Sequence, residues 1–77
     1  MKAVIYTTDT CKYCKEAKEY FKEKNIEYEE INLSKNPERK SELLQKSGSL
    51  SVPTIELNGK NFIGFSREEV DKVVMGL

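Results

Sequence analysis

The stretch VIYTTDTCKYCKEAKEYF, Val4 to Phe21, decides how the chain folds. Its apolar run, Ala3 to Tyr6 counting one residue back, stops at the polar cluster Thr7-Thr8-Asp9-Thr10, so Lys2 to Thr7 reads as a short buried strand ending in a loop. From Lys12 to about Lys24 the apolar side chains Tyr13, Cys14, Ala17, Tyr20 and Phe21 recur at steps of three and four. Lys15, Glu16, Lys18, Glu19, Lys22 and Glu23 fill the other side, which predicts an amphipathic helix. Opposite charges such as Lys12 with Glu16 and Lys15 with Glu19 are expected on the solvated face, each pair contributing only about 0.2–0.5 kcal/mol. A strand therefore feeds a helix through a tight loop, and both cysteines of the chain, Cys11 and Cys14, sit at that junction.

Outward from this unit the pattern continues. Asn25 predicts the helix stop, and Ile26 to Leu33 then alternates as a second strand, with a slip at Glu29-Glu30 that predicts an edge position or a bulge. Ser34 and Asn36 are candidate caps ahead of Pro37, which suits the first turn of a second helix. Leu43 and Leu44 supply its inner face and Gly48 ends it. Val52 to Leu57 reads as a strand, and Asn58-Gly59 is a two-residue hairpin signal leading into Lys60 to Ile63. After Gly64 and Phe65, Ser66-Arg67-Glu68-Glu69 fits a capping box opening a last helix with Val70, Val73, Val74 and Leu77 inward. The predicted order is strand, helix, strand, helix, hairpin, helix, with no internal repeat.

A chain of 77 residues makes one domain, here residues 1–77. Thirteen basic residues are balanced by thirteen acidic ones, so no net field points to nucleic acid or an anionic membrane. The apolar runs fall well short of the roughly 20 residues that a membrane span requires. The start MKAVIYTT runs directly into strand-like sequence without a cleavable-signal pattern, so the expected location is the cytoplasm, with a monomer as the expected state.

Two cysteines separated by two residues close too short a loop to serve as a structural staple. A four-ligand zinc site is also poorly served, since the chain has two cysteines and no histidine; a metal or iron–sulfur site shared by two chains would meet the count. Without histidine, His-assisted nucleophilic hydrolysis is excluded. Redox chemistry fits instead. At the predicted helix N-terminus, unpaired backbone N–H groups and the macrodipole favour a Cys11 thiolate, the form that attacks a disulfide. Cys14, one turn on and more buried, would then attack the mixed disulfide and release the reduced substrate.

Together these residues resemble the glutaredoxin branch of the thioredoxin-like fold over essentially the whole chain. Cys11-Lys12-Tyr13-Cys14 is similar to the family's Cys-Pro-Tyr-Cys, with lysine in place of proline. Ser51-Val52-Pro53-Thr54 is similar to its Thr-Val-Pro segment, Asn58-Gly59-Lys60 to its hairpin turn, and Phe62-Ile63-Gly64-Phe65 to the lead-in to its last helix. The resemblance implies an α/β thioredoxin-like fold, β-α-β-α-β-β-α around a central four-stranded mixed sheet. It also implies a cis bond before Pro53, which would turn the Val52 backbone toward the thiols to pair with an extended substrate, and Tyr13 as a groove wall. The implied activity is that of a dithiol-disulfide oxidoreductase acting on disulfide-containing proteins or glutathione mixed disulfides. No cofactor is implied as tightly bound, and glutathione is the implied reductant.

The substrate site implied by the resemblance comprises Thr8, Lys12, Tyr13, Val52, Pro53, Gly64, Phe65 and Ser66, beside the catalytic pair Cys11 and Cys14. Two departures bear on glutathione. Family members that hold it commonly carry lysine three residues before the first cysteine, where this chain has Thr8. They also carry Gly-Gly followed by Asp where this chain reads Gly64-Phe65-Ser66-Arg67-Glu68. Lys12, Arg67 and Glu68 are the candidate substitutes. Gly-Phe-Ser resembles more closely the small redoxins that serve ribonucleotide reductase, which points to thioredoxin reductase as the alternative electron source. Outside that class, the competing readings are a non-catalytic redox sensor and a dimeric iron–sulfur cluster carrier.

Overall fold

The computed structural model describes residues 2–76. The chain runs β1 (Lys2–Thr7), α1 (Lys12–Glu23), β2 (Glu27–Asn32), a single 3-10 turn (Pro37–Arg39), α2 (Lys40–Ser47), β3 (Thr54–Leu57), β4 (Lys60–Ile63) and α3 (Arg67–Val74). The strands form one mixed sheet in the order β2-β1-β3-β4. β1 pairs parallel with β2, and β3 is antiparallel to both β1 and β4. This is the expected α/β architecture, with β1, the strand of the opening stretch, inside the sheet.

Period-two alternation sorts the core onto two faces. Ala3 and Ile5 of β1 and Ile55 and Leu57 of β3 meet Ala17, Tyr20 and Phe21 of α1 and Val70 of α3, all fully buried. Tyr6 faces the other way and packs with Ile31, Leu33 and Leu43. A twelve-residue helix is marginal alone, so α1 owes its persistence to this packing. Each fully buried Leu, Ile or Phe contributes about 1.5–3 kcal/mol.

The slip in the second strand is an edge without a bulge, because β1 and β2 pair in unbroken register from Lys2↔Glu27 to Thr7↔Asn32. Both faces of this strand carry cargo. Tyr28 packs on Phe21 on the α1 side, while Ile31 joins Tyr6 and Leu43 on the α2 side. The strand is also shorter than Ile26 to Leu33, since the Ile26 N–H still donates to the Phe21 carbonyl in the turn closing α1. Asn25 ends α1 with φ 57°, a left-handed conformation that asparagine tolerates.

The second helix departs furthest from expectation. Pro37 opens a 3-10 turn, and α2 proper starts at Lys40. Neither candidate cap acts as one: the Asn36 side chain donates to the Asn32 carbonyl, and the Ser34 hydroxyl accepts the Asp9 N–H. Leu43 is buried but Leu44 is 48% exposed, so the inner face is one leucine wide. The third strand starts at Thr54 rather than Val52, and the Val52–Pro53 bond ahead of it is cis. At the hairpin, Asn58 (φ 53°) and Gly59 (φ 80°) both adopt positive φ, as a type I′ turn requires. In α3, Val70 is fully buried and Val73 and Val74 half-buried, whereas Leu77 lies outside the described residues.

Candidate active site

The register of the sheet gathers most of the predicted site at one end. Tyr6 pairs with Thr54 and Thr54 with Ile63, so the loop leaving β1, the Val52–Pro53 approach to β3 and the Gly64 exit from β4 are neighbours. A bond from the Gly64 N–H to the Pro53 carbonyl, 2.7 Å, fastens the last two. Pro53 is buried, Val52 and Gly64 half-buried.

The thiol loop is braced from both sides. The Cys11 N–H donates to the Thr8 carbonyl at 3.4 Å, and the half-buried Thr8 thereby closes a turn. Asp9 receives the Asn32 side-chain amide at 2.9 Å while its own N–H donates to Ser34 Oγ at 3.0 Å, tying the loop to the end of β2. Thr7, buried at the last position of β1, donates its hydroxyl to Glu30 Oε2 at 2.7 Å. The same oxygen accepts from Lys18 Nζ of α1 at 3.0 Å. No local signal in the sequence marks the role of Glu30, since its partners lie 12 and 23 residues away. Burial alone would raise the Glu30 carboxyl; the bonds from Thr7 and Lys18 and the Lys18 charge together outweigh it and hold the group below the usual carboxylate range.

Cys11 is the N-cap of α1, and its Sγ accepts the Cys14 backbone N–H at 3.1 Å. Cys11 is partly exposed and Cys14 is 1% exposed. The two are joined as a disulfide, with Cα atoms 5.3 Å apart. No acidic residue occupies the first turn of α1, so nothing there offsets the positive end of the helix, and Lys12 and Lys15 point outward beside it. An anionic sulfur at Cys11 is thus favoured by the Cys14 N–H and by the dipole. Tyr13 stands 59% exposed between the cysteines, available as a wall for a bound substrate.

The start of α3 follows the Gly64 exit from β4. Ser66 caps that helix by accepting the Glu69 N–H at 3.4 Å, as the capping pattern predicts, and Glu68 and Glu69 fill its first turn. Those carboxylates make this helix end, unlike that of α1, a poor seat for a further anion. Phe65 turns toward α1 and packs on Tyr20, ring centroids 5.7 Å apart, so its ring belongs partly to the core. Arg67 stacks its guanidinium over Tyr20, 4.9 Å from the ring centre, and pairs with Glu23 at 3.3 Å. Arg67 is thereby engaged with Tyr20 and Glu23. Among the described residues no group of three or more Cys, Asp or Glu side chains is arranged to hold a metal, and no helix is long and apolar enough to cross a membrane.

Comparison with known proteins agrees with this geometry. The Glutaredoxin family model matches residues 3–63. An uncharacterized glutaredoxin-like 8.6 kDa protein from the rubredoxin operon of Clostridium pasteurianum is 37% identical over 70 residues, 91% of this chain and 93% of that protein. The crystal structure of a glutaredoxin from Archaeoglobus fulgidus superposes with a TM-score of 0.84 at 25% identity, covering 94% of this chain and 84% of that one. NrdH-redoxin from Escherichia coli, described as a glutaredoxin-like protein with a thioredoxin-like activity profile, superposes with a TM-score of 0.79 at 25% identity, covering 95% of each chain.

Proposed function

Because the chain belongs to the glutaredoxin family, and is by that membership a thiol–disulfide oxidoreductase, we propose that it works through a two-thiol cycle in which Cys11 attacks and Cys14 resolves. The observation that carries this is the asymmetry of the pair: one sulfur is partly exposed at a helix N-terminus and bonded by an N–H, the other buried one turn on. In the reduced protein the Cys11 thiolate displaces one sulfur of a substrate disulfide, forming a mixed disulfide and expelling a thiolate that takes a proton from water. The Cys14 thiol then gives up its proton and attacks the Cys11 sulfur. This closes the Cys11–Cys14 disulfide, expels the second substrate thiolate, and moves two electrons from the dithiol to the substrate.

The substrates are protein disulfides or glutathione mixed disulfides. They lie against Tyr13, pair in extended form with the Val52 backbone beside Pro53, and are flanked by Thr8, Lys12, Gly64, Phe65 and Ser66. Glutathione is held weakly. Thr8 brings no cation, Arg67 is committed to Tyr20 and Glu23, and Glu68 and Glu69 already occupy the α3 N-terminus. These same features favour a second reading within the class, an electron donor to one reductase that is itself recharged by thioredoxin reductase. The likeness to NrdH-redoxin supports it. The protein acts as a monomer in the cytoplasm, with no tightly bound cofactor.

Nicotinamide oxidation separates the electron sources. One assay supplies glutathione with its reductase and the other thioredoxin reductase, each with a protein disulfide as acceptor. Turnover dependent on both cysteines in at least one assay is expected, with weak saturation by glutathione. Activity that survives Cys11→Ser would overturn the role given to that sulfur.

A further inference from the structure

One carboxylate oxygen, Glu30 Oε2, ties the strand that enters the thiol loop to the helix that leaves it. It receives the hydroxyl of Thr7, the last residue of β1, and the ammonium of Lys18 in α1. Thr7 is 1% exposed, and the Lys18 and Glu30 side chains retain only 27% and 30% of their surface. Lys18 follows Cys14 by four residues, which places the two on one helix face about 5–6 Å apart at Cβ. Lys18 therefore stands one helical turn after the buried Cys14 and carries the Glu30 carboxylate at its ammonium.

That sulfur has a problem the exposed one lacks. Burial disfavours a charged thiolate, and Cys14 has to become one before it can attack. The charges on this face of the sheet are few. α1 contributes Lys18, with Lys15 and Glu16 turned to solvent; β2 contributes Glu30, whose field is also felt by Lys35 from the following loop. Asp9 is bonded to Asn32, Tyr6 lies on the opposite face with Glu42, and Asp71 and Arg67 are engaged at Tyr20, further down α1.

We propose that Glu30 is a positioning residue of the redox cycle: it anchors Thr7 and Lys18 to hold the thiol loop, and its charge, set against that of Lys18, fixes the acidity at which Cys14 attacks. This rests on Cys11 as the attacking and Cys14 as the resolving thiol. Lys18 favours the Cys14 thiolate and Glu30 opposes it. Glu30→Gln keeps an oxygen acceptor for both partners and removes only the charge. Lys18→Met keeps the length of the chain and removes the cation.

The test is stopped-flow mixing of the fully reduced protein with dithiobis(2-nitrobenzoate). The first release of thionitrobenzoate reports attack by Cys11, the second its displacement by Cys14. Both are followed across pH, with melting temperature recorded for each variant. In Glu30→Gln the midpoint of the second phase is expected to fall by roughly half to one pH unit, and in Lys18→Met to rise by a similar amount; partial exposure keeps the shifts small. The double variant should return close to the parent midpoint, with the first phase nearly unmoved throughout. Unchanged midpoints, or shifts of the same sign in both single variants, would overturn the proposal. Absence of two phases in the parent protein would instead overturn the roles of Cys11 and Cys14.

Discussion

The backbone N–H of Cys14 points at the sulfur of Cys11, 3.1 Å away, so the first turn of α1 is already organised around a negative charge at its cap. With no carboxylate in that turn to compete, the Cys11 thiol should ionise below the ~8.5 of a free cysteine. Alkylation by iodoacetamide across pH measures this directly on the Cys14→Ser variant. The same variant should still form a mixed disulfide but fail to resolve it, whereas Cys11→Ser should lose activity toward every disulfide.

Charge reversal in the first turn tests the electrostatic part alone. Lys12 is exposed, makes no ion pair among the described residues, and precedes the turn's inner positions, so Lys12→Glu should leave the fold intact. It places an anion at the positive end of the helix. The alkylation midpoint of Cys11 should rise by a few tenths of a pH unit, and added salt should shrink the difference.

Thr8 stands where glutathione-binding relatives commonly carry lysine, and its carbonyl already holds the Cys11 N–H. Since that bond uses only the backbone, Thr8→Lys adds a cation beside the thiols without removing the turn. Turnover of glutathione mixed disulfides should increase several-fold, mainly through a lower KM, with reduction of a protein disulfide little affected. An unchanged KM would show that weak glutathione binding has another origin, such as the carboxylates at the start of α3.

Two adjacent leucines give a stability test. Leu43 is fully buried against Tyr6, Ile31 and Leu33, while Leu44 is 48% exposed. Leu43→Ala should cost about 2–5 kcal/mol in denaturant unfolding, and Leu44→Ala no more than about 0.5 kcal/mol.

That contrast also marks where sequence reading ends. Elements with a strong local signal, such as the amphipathic α1, the Asn58-Gly59 turn and the Ser66 cap, form as their residues predict because the deciding interactions lie within a few positions. α2 has two leucines and no side-chain N-cap to set its rotation. Which leucine is buried depends on Tyr6 and Ile31, which arrive from other strands. The cysteines were legible as a pair because chemistry and spacing coincide in four residues. The Thr7–Glu30–Lys18 bridge was not, since its partners lie 23 and 12 residues from Glu30 and only the packing of β1, β2 and α1 brings them together.

The last long-range contact makes a prediction at alkaline pH. Tyr20 is fully buried, donates its hydroxyl to Asp71 and lies beneath Arg67. Burial first, then the bond to Asp71 and its charge, push its phenol from an ordinary 10.0 up to about 12, against a smaller opposing effect of Arg67. The folded protein thus favours the protonated phenol more than the unfolded chain does. Its stabilisation is complete below pH 10 and is lost as pH rises through about 12. Tyr20→Phe removes this contribution and leaves Asp71 without its donor, which should cost about 0.5–1.5 kcal/mol near neutrality. The difference in melting temperature between parent and variant should then narrow steadily above pH 10, as the parent alone releases the phenolic proton on unfolding. A difference that stayed constant over that range would mean that Tyr20 titrates alike in the folded and unfolded chains.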